Sequence, residues 1–325
     1  MTKKYKMYQE IMQQPIVIRK LVAKHIKSSQ ILFSEFSKRT DELKKIKRFI
    51  FLGCGTSSNA ALFGNLVFEE IAKLNCEFEF ADVFNQRNSV IETNTAVVIL
   101  SQSGETAEAI KAAKIVKTKK SFLISITNNK KSKLAKLADV NIDIEAGKEI
   151  AVPATKTFTS QLLILLLLAL FVKQIRGGKE LKLVNDLKKI SKLVGGVVNR
   201  KKAVESLAMK LKDENNIIIL GSKYNYPVAL EGALKLKEAA NIFAEGMTTE
   251  EFEHGPKALS GGVCLIKING RSLDICEKKM SVSRSSQILQ SILLIIPLQF
   301  LAFYLAIQKG INVDKPRNIK KFIAK

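Results

Sequence analysis

The stretch AVVILSQSGET at residues 96–106 indicates which class of fold this sequence adopts. Its first five residues are apolar and rich in β-branched side chains, which predicts a buried strand. The strand runs directly into the polar loop 101–106, and a helix is predicted from there through Lys117. A buried strand, a short polar loop and a helix in immediate succession are the building unit of a parallel α/β sheet.

The same alternation extends on both sides of this stretch. Apolar runs predict strands at 49–52, 78–81, 122–126 and 140–144, and a helix is predicted from about 59 to 73. Apolar strands that alternate with helices predict a doubly wound parallel sheet.

The remaining segments predict a second unit of related design. Residues 1–45 show a helical period around a break at Pro15, and residues 173–202 form a polar, basic link. A strand, loop and helix recur at 216–242, and a further strand is predicted at 263–268. The fold class predicted from this repeat is α/β, with two related, doubly wound parallel-sheet domains.

Composition narrows the classes of function. With 46% hydrophobic and 26% charged residues, the disordered and fibrous classes are excluded, and 325 residues allow two cores. The net charge of +23 raises the question of nucleic acid, yet only nine of the 53 basic residues are Arg. Proteins that contact bases and phosphates favour Arg, because its planar guanidinium can donate two hydrogen bonds to one partner. The lysines are also spread along the chain. We therefore expect a lysine-rich surface without a nucleic-acid partner, and the charge also suits an anionic substrate.

Cysteine and histidine are too scarce to predict a metal centre. The sequence has no C-x-x-C pair and only two histidines, so neither a metal nor a cofactor is expected. The first residues lack the apolar core of a signal peptide, which predicts a reduced, cytoplasmic setting. The cysteines are Cys54, Cys76, Cys264 and Cys276, and the histidines are His25 and His254.

Two apolar runs raise the question of a membrane. Residues 162–172 are about half the length of a spanning helix. Residues 288–307 are long enough, but Gln290, Pro297 and Gln299 lie inside them. Helices that are apolar all round also occur beside buried sheets. We expect both runs to be buried helices and expect no membrane partner.

Two loops carry the residue types of a phosphate site. In the loop 101–106, hydroxyls and backbone N–H groups would lie at a helix N-terminus, where the helix dipole favours an anion. The alternative is ordinary N-capping by Ser or Thr. The loop 53–58 (GCGTSS) has the same position after its strand, so the two loops are predicted to line one crevice.

A helix in the second half carries residues suited to acid–base chemistry. Glu231, Lys235 and Glu238 are spaced i, i+4, i+7 and so share one helix face. A carboxylate beside an ammonium can transfer protons where burial tunes both groups, and the alternative is a surface ladder of ion pairs. His254 follows in the sequence EHGP at 253–256, where a purely structural histidine is the alternative.

Taken together, these stretches resemble one family, the tandem sugar-isomerase (SIS) domain proteins. Its best-known members include the isomerase half of glutamine–fructose-6-phosphate aminotransferase and the short glucosamine-6-phosphate deaminases. The stretches follow the family's order, span nearly the whole chain, and begin with MYQEIMQQP at 7–15, which is similar to the family's opening helix. They are GCGTSSNA at 53–60, ILSQSGET at 99–106, ATKTFTSQL at 154–162, YPVALEGALKLKE at 226–238, EHGPKAL at 253–259, IPLQFLAFYLA at 296–306 and NVDKPRN at 312–318.

The resemblance implies two flavodoxin-like SIS domains that bind a sugar phosphate. The implied bounds are a helical segment at 1–39, SIS domain 1 at 40–179, a helical linker at 180–207, SIS domain 2 at 208–317 and a tail at 318–325. Phosphate binding is implied for Ser101, Gln102, Ser103 and Thr106, and substrate contacts for Cys54, Gly55, Thr56, Ser57, Val152 and Thr155.

The resemblance also implies catalytic roles. Glu238 would move the proton between C1 and C2 of the sugar, with Lys235 and Glu231 assisting. His254 would open the sugar ring, reaching across from the neighbouring subunit of a homodimer.

A lysine of the tail would form a Schiff base with the open-chain ketose. The register after 316–318 assigns this role to Lys321, while Lys320 and Lys325 lie close enough in sequence to remain alternatives.

Three features depart from the family's pattern. No glutaminase stretch precedes residue 8, so glutamine-dependent synthesis by this chain alone is not expected. Ala154 follows Pro153 where the family usually has Ser, which resembles the short deaminases. Only about 40 residues separate Pro256 from Ile296, so the second domain is expected to be shortened, with a reduced sheet.

The predicted function is interconversion of glucosamine 6-phosphate with fructose 6-phosphate and ammonia. One alternative is a deglycase that acts on a fructosamine phosphate with the same base and lysine. Another is a non-catalytic protein that binds a phosphosugar, which a shortened second domain would suit. A DNA-binding regulator is disfavoured, because the first 45 residues are too few for a separate reader domain.

Overall fold

The computed structural model describes residues 2–275, 278–283, 285–319 and 321, which fall into two compact units. Residues 17–147 and 160–188 form the parallel-sheet unit. Residues 2–16, 148–159 and the described part of 189–321 form the mixed-sheet unit.

Strands and helices alternate through most of both units. The strands are β1 (Ile26–Lys27), β2 (Gln30–Ile31), β3 (Arg48–Gly53), β4 (Asn75–Phe80), β5 (Thr95–Ser101), β6 (Phe122–Thr127), β7 (Val140–Asp143), β8 (Asn216–Gly221), β9 (Phe243–Met247), β10 (Cys264–Asn269), β11 (Ser272–Ile275) and β12 (Lys278–Ser281). The α-helices are α1 (Lys6–His25), α2 (Thr40–Lys45), α3 (Thr56–Val67), α4 (Ala81–Gln86), α5 (Ala107–Thr118), α6 (Lys133–Leu137), α7 (Lys156–Ile175), α8 (Leu181–Leu187), α9 (Ile190–Val198), α10 (Lys201–Lys210), α11 (Tyr226–Ala240), α12 (Thr249–Glu253) and α13 (Gln287–Gln308).

The parallel-sheet unit contains the sheet that its apolar runs predict. Its strand order is β4-β3-β5-β6-β7, and every neighbouring pair is parallel. β5 is buried along its whole length, as expected for a strand covered on both faces. Val97 and Leu123 of the sheet pack in one core with Ala109 and Val116 of α5. The predicted doubly wound fold of this half is confirmed.

The strand order places two loops at one edge of this sheet. β3 and β5 are neighbours, but the chain continues from β3 to β4 on one side and from β5 to β6 on the other. The carboxyl ends of parallel strands lie at the same edge, and a crevice forms where the strand order reverses in this way. The loops after β3 and β5 flank that crevice.

The first helix differs from its prediction. α1 runs from Lys6 to His25 without the break expected at Pro15. A proline in a helix leaves the carbonyl four residues earlier without its N–H donor. Here Gln14 Nε2 donates to the Ile11 carbonyl at 3.2 Å and replaces the missing donor, and Ser191 Oγ donates to the Pro15 carbonyl at 2.9 Å. After α1 the chain forms the hairpin of β1 and β2, so residues 1–45 are not helical throughout.

The mixed-sheet unit has a five-stranded sheet in the order β12-β11-β10-β8-β9. β10, β8 and β9 are parallel, whereas β11 pairs antiparallel with both β10 and β12. The expectation of a wholly parallel, reduced second sheet is therefore corrected. Asn269 pairs with Ser272 across a two-residue turn in which Gly270 has φ of +55°. A turn that short can only join antiparallel strands, and glycine at the first of its two central positions is a known signal for it.

Two helices are long and apolar enough to cross a membrane by length and composition alone. They are α7 and α13, and 83% and 100% of their apolar windows are buried within the protein. Burial of this extent is ordinary for the core helices of a soluble fold. α13 packs against α9, α10 and α11 of the mixed-sheet unit.

Candidate active site

The loop 101–106 connects the carboxyl end of β5 to the N-terminus of α5. Ser101 Oγ accepts a hydrogen bond from the Gly104 N–H at 3.0 Å and lies 3.1 Å from Thr106 Oγ1. Ser103 Oγ accepts the N–H two residues further on, at 3.1 Å. Gly104 has φ of +66°, and a Cβ there would lie 2.1 Å from Ser132 Oγ, so the turn requires glycine. The loop is thus a tight turn with its hydroxyls gathered at a helix N-terminus.

The loop after β3 is built in a similar way. A Cβ on Gly53 would lie 2.5 Å from the backbone of Ser57, so glycine allows the close passage from strand to helix. Gly55 has φ of +54° and directly precedes α3. Ser57 is buried, and its Oγ accepts a hydrogen bond from Gln161 Nε2 at 3.0 Å. The side chain of Ser57 is therefore fixed by α7.

Five predicted contact residues of the two loops are partly exposed. They are Cys54 and Thr56 in the loop 53–58, and Gln102, Ser103 and Thr106 in the loop 101–106. Burial raises the pKa of the Cys54 thiol to about 11, with smaller contributions from Glu108 and Asp82. Cys54 is consequently a neutral thiol near pH 7, suited to packing or hydrogen bonding rather than to nucleophilic attack.

The helix α11 carries a buried array of charges. Glu231 and Lys235 are completely buried, whereas 23% of the Glu238 side chain is exposed. Lys235 Nζ lies 3.3 Å from Glu231 Oε1 and also pairs with Glu238 Oε2. Burial by itself lowers the pKa of Lys235, but the two carboxylates outweigh it and raise that pKa above its ordinary value. The ladder predicted from the spacing is thus an internal one, in which a charged ammonium lies between two carboxylates.

Close helix packing accounts for this burial. A Cβ on Gly232 of α11 would lie 2.7 Å from Leu298 Cδ1 of α13 and 3.0 Å from Ile219 Cδ1 of β8. The absent side chain lets α11 approach both elements. A buried ion pair is stable only when each desolvated charge has a partner of opposite sign, and Lys235 has two such partners, Glu231 and Glu238.

His254 lies at the carboxyl end of α12 and is exposed in the single chain. Its backbone N–H donates to the Glu251 carbonyl at 3.0 Å. Gly255, which follows, has φ of +139°, a conformation that glycine adopts readily. The imidazole is therefore presented on the surface of the mixed-sheet unit.

Lys321 is bound to the segment that precedes α7. Its Nζ lies 3.1 Å from Glu149 Oε2 and donates to the Ala151 carbonyl, with the Val152 carbonyl at 3.5 Å. Val152 and Lys321, which were assigned separately to the site, thus lie together in the mixed-sheet unit. Lys320 and Lys325, the alternative candidates for the Schiff-base lysine, lie outside the described residues, and so does Cys276.

Thr155 has a different environment from the other predicted substrate contacts. It is completely buried, and both its N–H and its Oγ1 contact Glu149 Oε1, at 2.8 Å and 3.4 Å. Its carbonyl accepts a hydrogen bond from Gln299 Nε2 at 3.1 Å. In this conformation Thr155 supports the loop from inside.

Sequence reasoning missed Glu149, which organises this segment. Glu149 accepts hydrogen bonds from Thr155, from Thr157 and from Lys321. Burial alone would raise its pKa, but the Lys321 ammonium and these donors hold the pKa below its ordinary value. The one available signal was its position five residues before the stretch ATKTFTSQL at 154–162.

The structure thus groups the predicted residues in three sets, each within one unit: the two loops of the parallel-sheet unit, the α11 array, and Lys321 with the 149–157 segment. Among the described residues, no group of three or more His, Cys, Asp or Glu side chains is arranged to hold a metal ion.

A comparison with known families agrees with this arrangement. The profile of the SIS domain family matches residues 42–171 and 210–277, which together cover more than half of the chain. The chain belongs to the SIS domain family. The second match is much the shorter of the two.

Individual relatives support the same assignment. The chain is 35% identical over 354 aligned positions to glutamine–fructose-6-phosphate aminotransferase (isomerizing) of Buchnera aphidicola, covering 98% of this chain but only 58% of that protein. The C-terminal domain of glucosamine-fructose-6-phosphate aminotransferase from Francisella tularensis has a TM-score of 0.88 and 28% identity, covering 96% of this chain and 98% of that one. Glucosamine-6-phosphate deaminase from Thermotoga maritima has a TM-score of 0.76 and 27% identity, covering 98% and 99%.

Proposed function

We propose that this SIS protein interconverts glucosamine 6-phosphate with fructose 6-phosphate and ammonia. The observation that carries the proposal is the α11 array, in which a partly exposed carboxylate is held by a buried ammonium. The similarity to the Thermotoga maritima deaminase over nearly the full length of both chains supports this reaction. The chain spans 58% of the Buchnera aminotransferase, so the whole reaction of that protein is not transferred here.

The loop 101–106 of the parallel-sheet unit would bind the phosphate, and the loop 53–58 would contact the sugar. Their hydroxyls and backbone N–H groups lie at the N-termini of α3 and α5, where the positive end of the helix dipole favours an anion. Glycines at positive φ let the backbone approach the ligand closely. Because these groups are fixed before binding, little conformational entropy is lost when the phosphate arrives.

Glu238 would carry the proton between the two carbons of the open-chain sugar. It would take the proton from C2 of glucosamine 6-phosphate and return it to C1, which leaves an imine at C2. Glu231 and Lys235 are completely buried, so they act through Glu238 as positioning residues. Their alternating charges fix the orientation of the Glu238 carboxylate.

Lys321 would complete the exchange of ammonia. Its amine adds to the C2 imine and displaces ammonia, and water then hydrolyses the resulting Schiff base to release the ketose and the free amine. His254 would open the sugar ring as a proton donor and acceptor. Its exposure in the single chain suits the predicted homodimer, in which it would serve the site of the neighbouring subunit.

The proposal is tested by incubating the purified protein with glucosamine 6-phosphate and measuring ammonia and fructose 6-phosphate. Glu238→Gln should lower the rate by at least about 10²-fold, the usual contribution of a positioned acid–base group. The variant should still be stabilised thermally by fructose 6-phosphate. The matched control is Glu245→Gln, at an exposed carboxylate of β9.

Absence of turnover in both directions would refute the proposal. Thermal stabilisation by fructose 6-phosphate without turnover would instead identify a phosphosugar-binding protein.

A further inference from the structure

The carboxylate of Glu149 is a fixed hydrogen-bond acceptor at the N-terminus of α7. Its Oε1 accepts the N–H groups of Thr155 and Thr157 at 2.8 Å and 3.2 Å, and its Oε2 accepts the Thr157 hydroxyl at 2.7 Å. The first N–H groups of a helix have no partner within the helix, so the carboxylate supplies one. The side chain of Glu149 is completely buried, and these bonds on both oxygens determine its orientation.

The segment that contains Glu149 is also held by α1. Glu10, which is only 3% exposed, accepts a hydrogen bond from the Ile150 N–H through its Oε1. Lys156 Nζ donates to Gln13 Oε1 at 2.9 Å. Glu10 and Gln13 are spaced i, i+3, so one face of the helix supplies both contacts. The backbone next to Glu149 is therefore fixed by α1 as well as by the start of α7.

The tail that carries Lys321 is bound to the same segment. Asp314 accepts the N–H groups of Lys6 and Met7 at the start of α1, each at 2.8 Å. The backbone carbonyl of Asp314 accepts the Val152 N–H at 3.1 Å. The chain therefore leads to Lys321 from a point that is already tied to the 149–157 segment.

The Lys321 side chain ends among three oxygen atoms of this segment. Its Nζ lies 3.1 Å from Glu149 Oε2, donates to the Ala151 carbonyl and lies 3.5 Å from the Val152 carbonyl. A lysine side chain is long and flexible, so it keeps one conformation only where directed contacts offset the lost rotamer entropy. About a fifth of the side chain remains exposed, at 20%, so the amine is held without being enclosed.

We infer that Glu149 is a positioning residue for the amine of Lys321, and that this contact selects Lys321 over Lys320 and Lys325 as the lysine that reacts with the sugar. The inference rests on the proposed function, since only a Schiff base requires an amine at a defined place. Three lysines lie within the last six residues, and their sequence alone does not distinguish them. A buried carboxylate with fixed orientation does.

The contact is compatible with nucleophilic attack. A neutral amine has two N–H groups and one lone pair, and Glu149 Oε2 and the Ala151 carbonyl can accept the two N–H groups. The lone pair then remains available to C2 of the open-chain ketose. The bond between Nζ and C2 forms, the two amine protons and the ketose oxygen leave as water, and the product is the Schiff base.

Glu149→Gln separates positioning from the helix cap. The amide oxygen can still accept the N–H groups of Thr155 and Thr157, whereas the amide NH₂ that replaces Oε2 cannot accept a hydrogen bond from Lys321. The Schiff base with fructose 6-phosphate is reduced by borohydride, and the modified lysines are identified and timed by mass spectrometry. In Glu149→Gln, trapping at Lys321 should be at least about 10-fold slower, because a misplacement of about 1 Å can lower a rate 10²-fold.

Two further readouts distinguish positioning from a structural role. The share of adduct on Lys320 and Lys325 should rise in Glu149→Gln, whereas a structural loss would slow all three lysines alike. Thermal stabilisation by fructose 6-phosphate should be unchanged, because the phosphate loop is intact. The matched control is Glu205→Gln, at an exposed carboxylate of α10 in the same unit, which should behave as the wild type.

Glu149→Asp provides a second test that keeps the charge and the capping oxygens. Its carboxylate is withdrawn by about 1 Å, beyond hydrogen-bond distance of Nζ, so trapping at Lys321 should again be about 10-fold slower. Trapping at the wild-type rate and with the wild-type distribution in whichever of the two variants folds, or an equal slowing at all three lysines, would overturn this inference and leave the proposed function intact. No adduct on wild-type Lys321 would overturn it together with the Schiff-base step of the proposed function.

Discussion

The buried carboxyl of Glu10 predicts an unusual dependence of stability on pH. Its pKa is raised from an ordinary 4.5 to about 7, chiefly by burial. The native state therefore holds this proton more tightly than the unfolded chain does. The stability that Glu10 contributes is fully present below pH 4.5 and is lost as the pH rises through about 7.

The magnitude follows from the shift. Each pKa unit corresponds to about 1.4 kcal/mol, so ionising Glu10 inside the fold costs about 3 kcal/mol at high pH. Glu10→Gln removes this cost, because the amide stays neutral. Between pH 5 and pH 8, the free energy of unfolding of wild type should fall relative to the variant by roughly 2–3 kcal/mol.

Denaturant unfolding followed by circular dichroism at pH 5, 6, 7 and 8 measures this difference. Glu205→Gln is the control, since an exposed carboxylate should give a nearly constant difference from the wild type. If the free energy of unfolding of wild type, taken relative to that of Glu10→Gln, stayed constant from pH 5 to pH 8 or rose with pH, the reasoning would be refuted.

Three further predictions concern residues of the candidate site. Gly104→Ala should lower the free energy of unfolding by about 2–4 kcal/mol and weaken binding of fructose 6-phosphate, because the new Cβ would lie 2.1 Å from Ser132 Oγ. The control is Gly55→Ala, where no atom lies within 4 Å of the new Cβ. It should lower the free energy of unfolding by only about 1–2 kcal/mol, because of the positive φ at that position. Thermal unfolding and calorimetry would measure both, and equal costs would contradict the steric argument. Glu149→Ala should destabilise the fold by about 3–5 kcal/mol, since it leaves a partly buried ammonium and several donors without their acceptor; a loss below about 1 kcal/mol would contradict this. Lys235→Met should lower kcat far more than it raises KM for glucosamine 6-phosphate, because the buried ammonium positions the acid–base group; an effect confined to KM would show that it binds substrate instead.

Much of the parallel-sheet unit could be predicted from the sequence. Its central strands β3, β5 and β6 are largely apolar runs, and each is followed by a short polar loop and a helix. The face shared by Glu231, Lys235 and Glu238 also follows from the helical period alone, although the period cannot distinguish a buried array from a surface ladder. Close packing of α11 against α13 at Gly232 decided that the array is internal.

The mixed-sheet unit was harder to predict, for local and for long-range reasons. The local signal for the hairpin of β10 and β11 is Gly270, the first residue of its two-residue turn. The continuity of α1 through Pro15 depended on a side chain, Gln14, that replaces the missing backbone donor. The general expectation that proline breaks a helix does not take such a compensating side chain into account.

The sequence by itself determined the parallel α/β unit, the two glycine loops and the order of the charges on α11, because each is a relation between near neighbours in the chain. Only the tertiary structure buried Glu10 and Glu149 and brought the partly exposed Lys321 to the same segment. They are far apart in the sequence, and no periodicity relates them. Burial and mutual charge determine their chemistry, and both depend on contacts that exist only after the chain has folded.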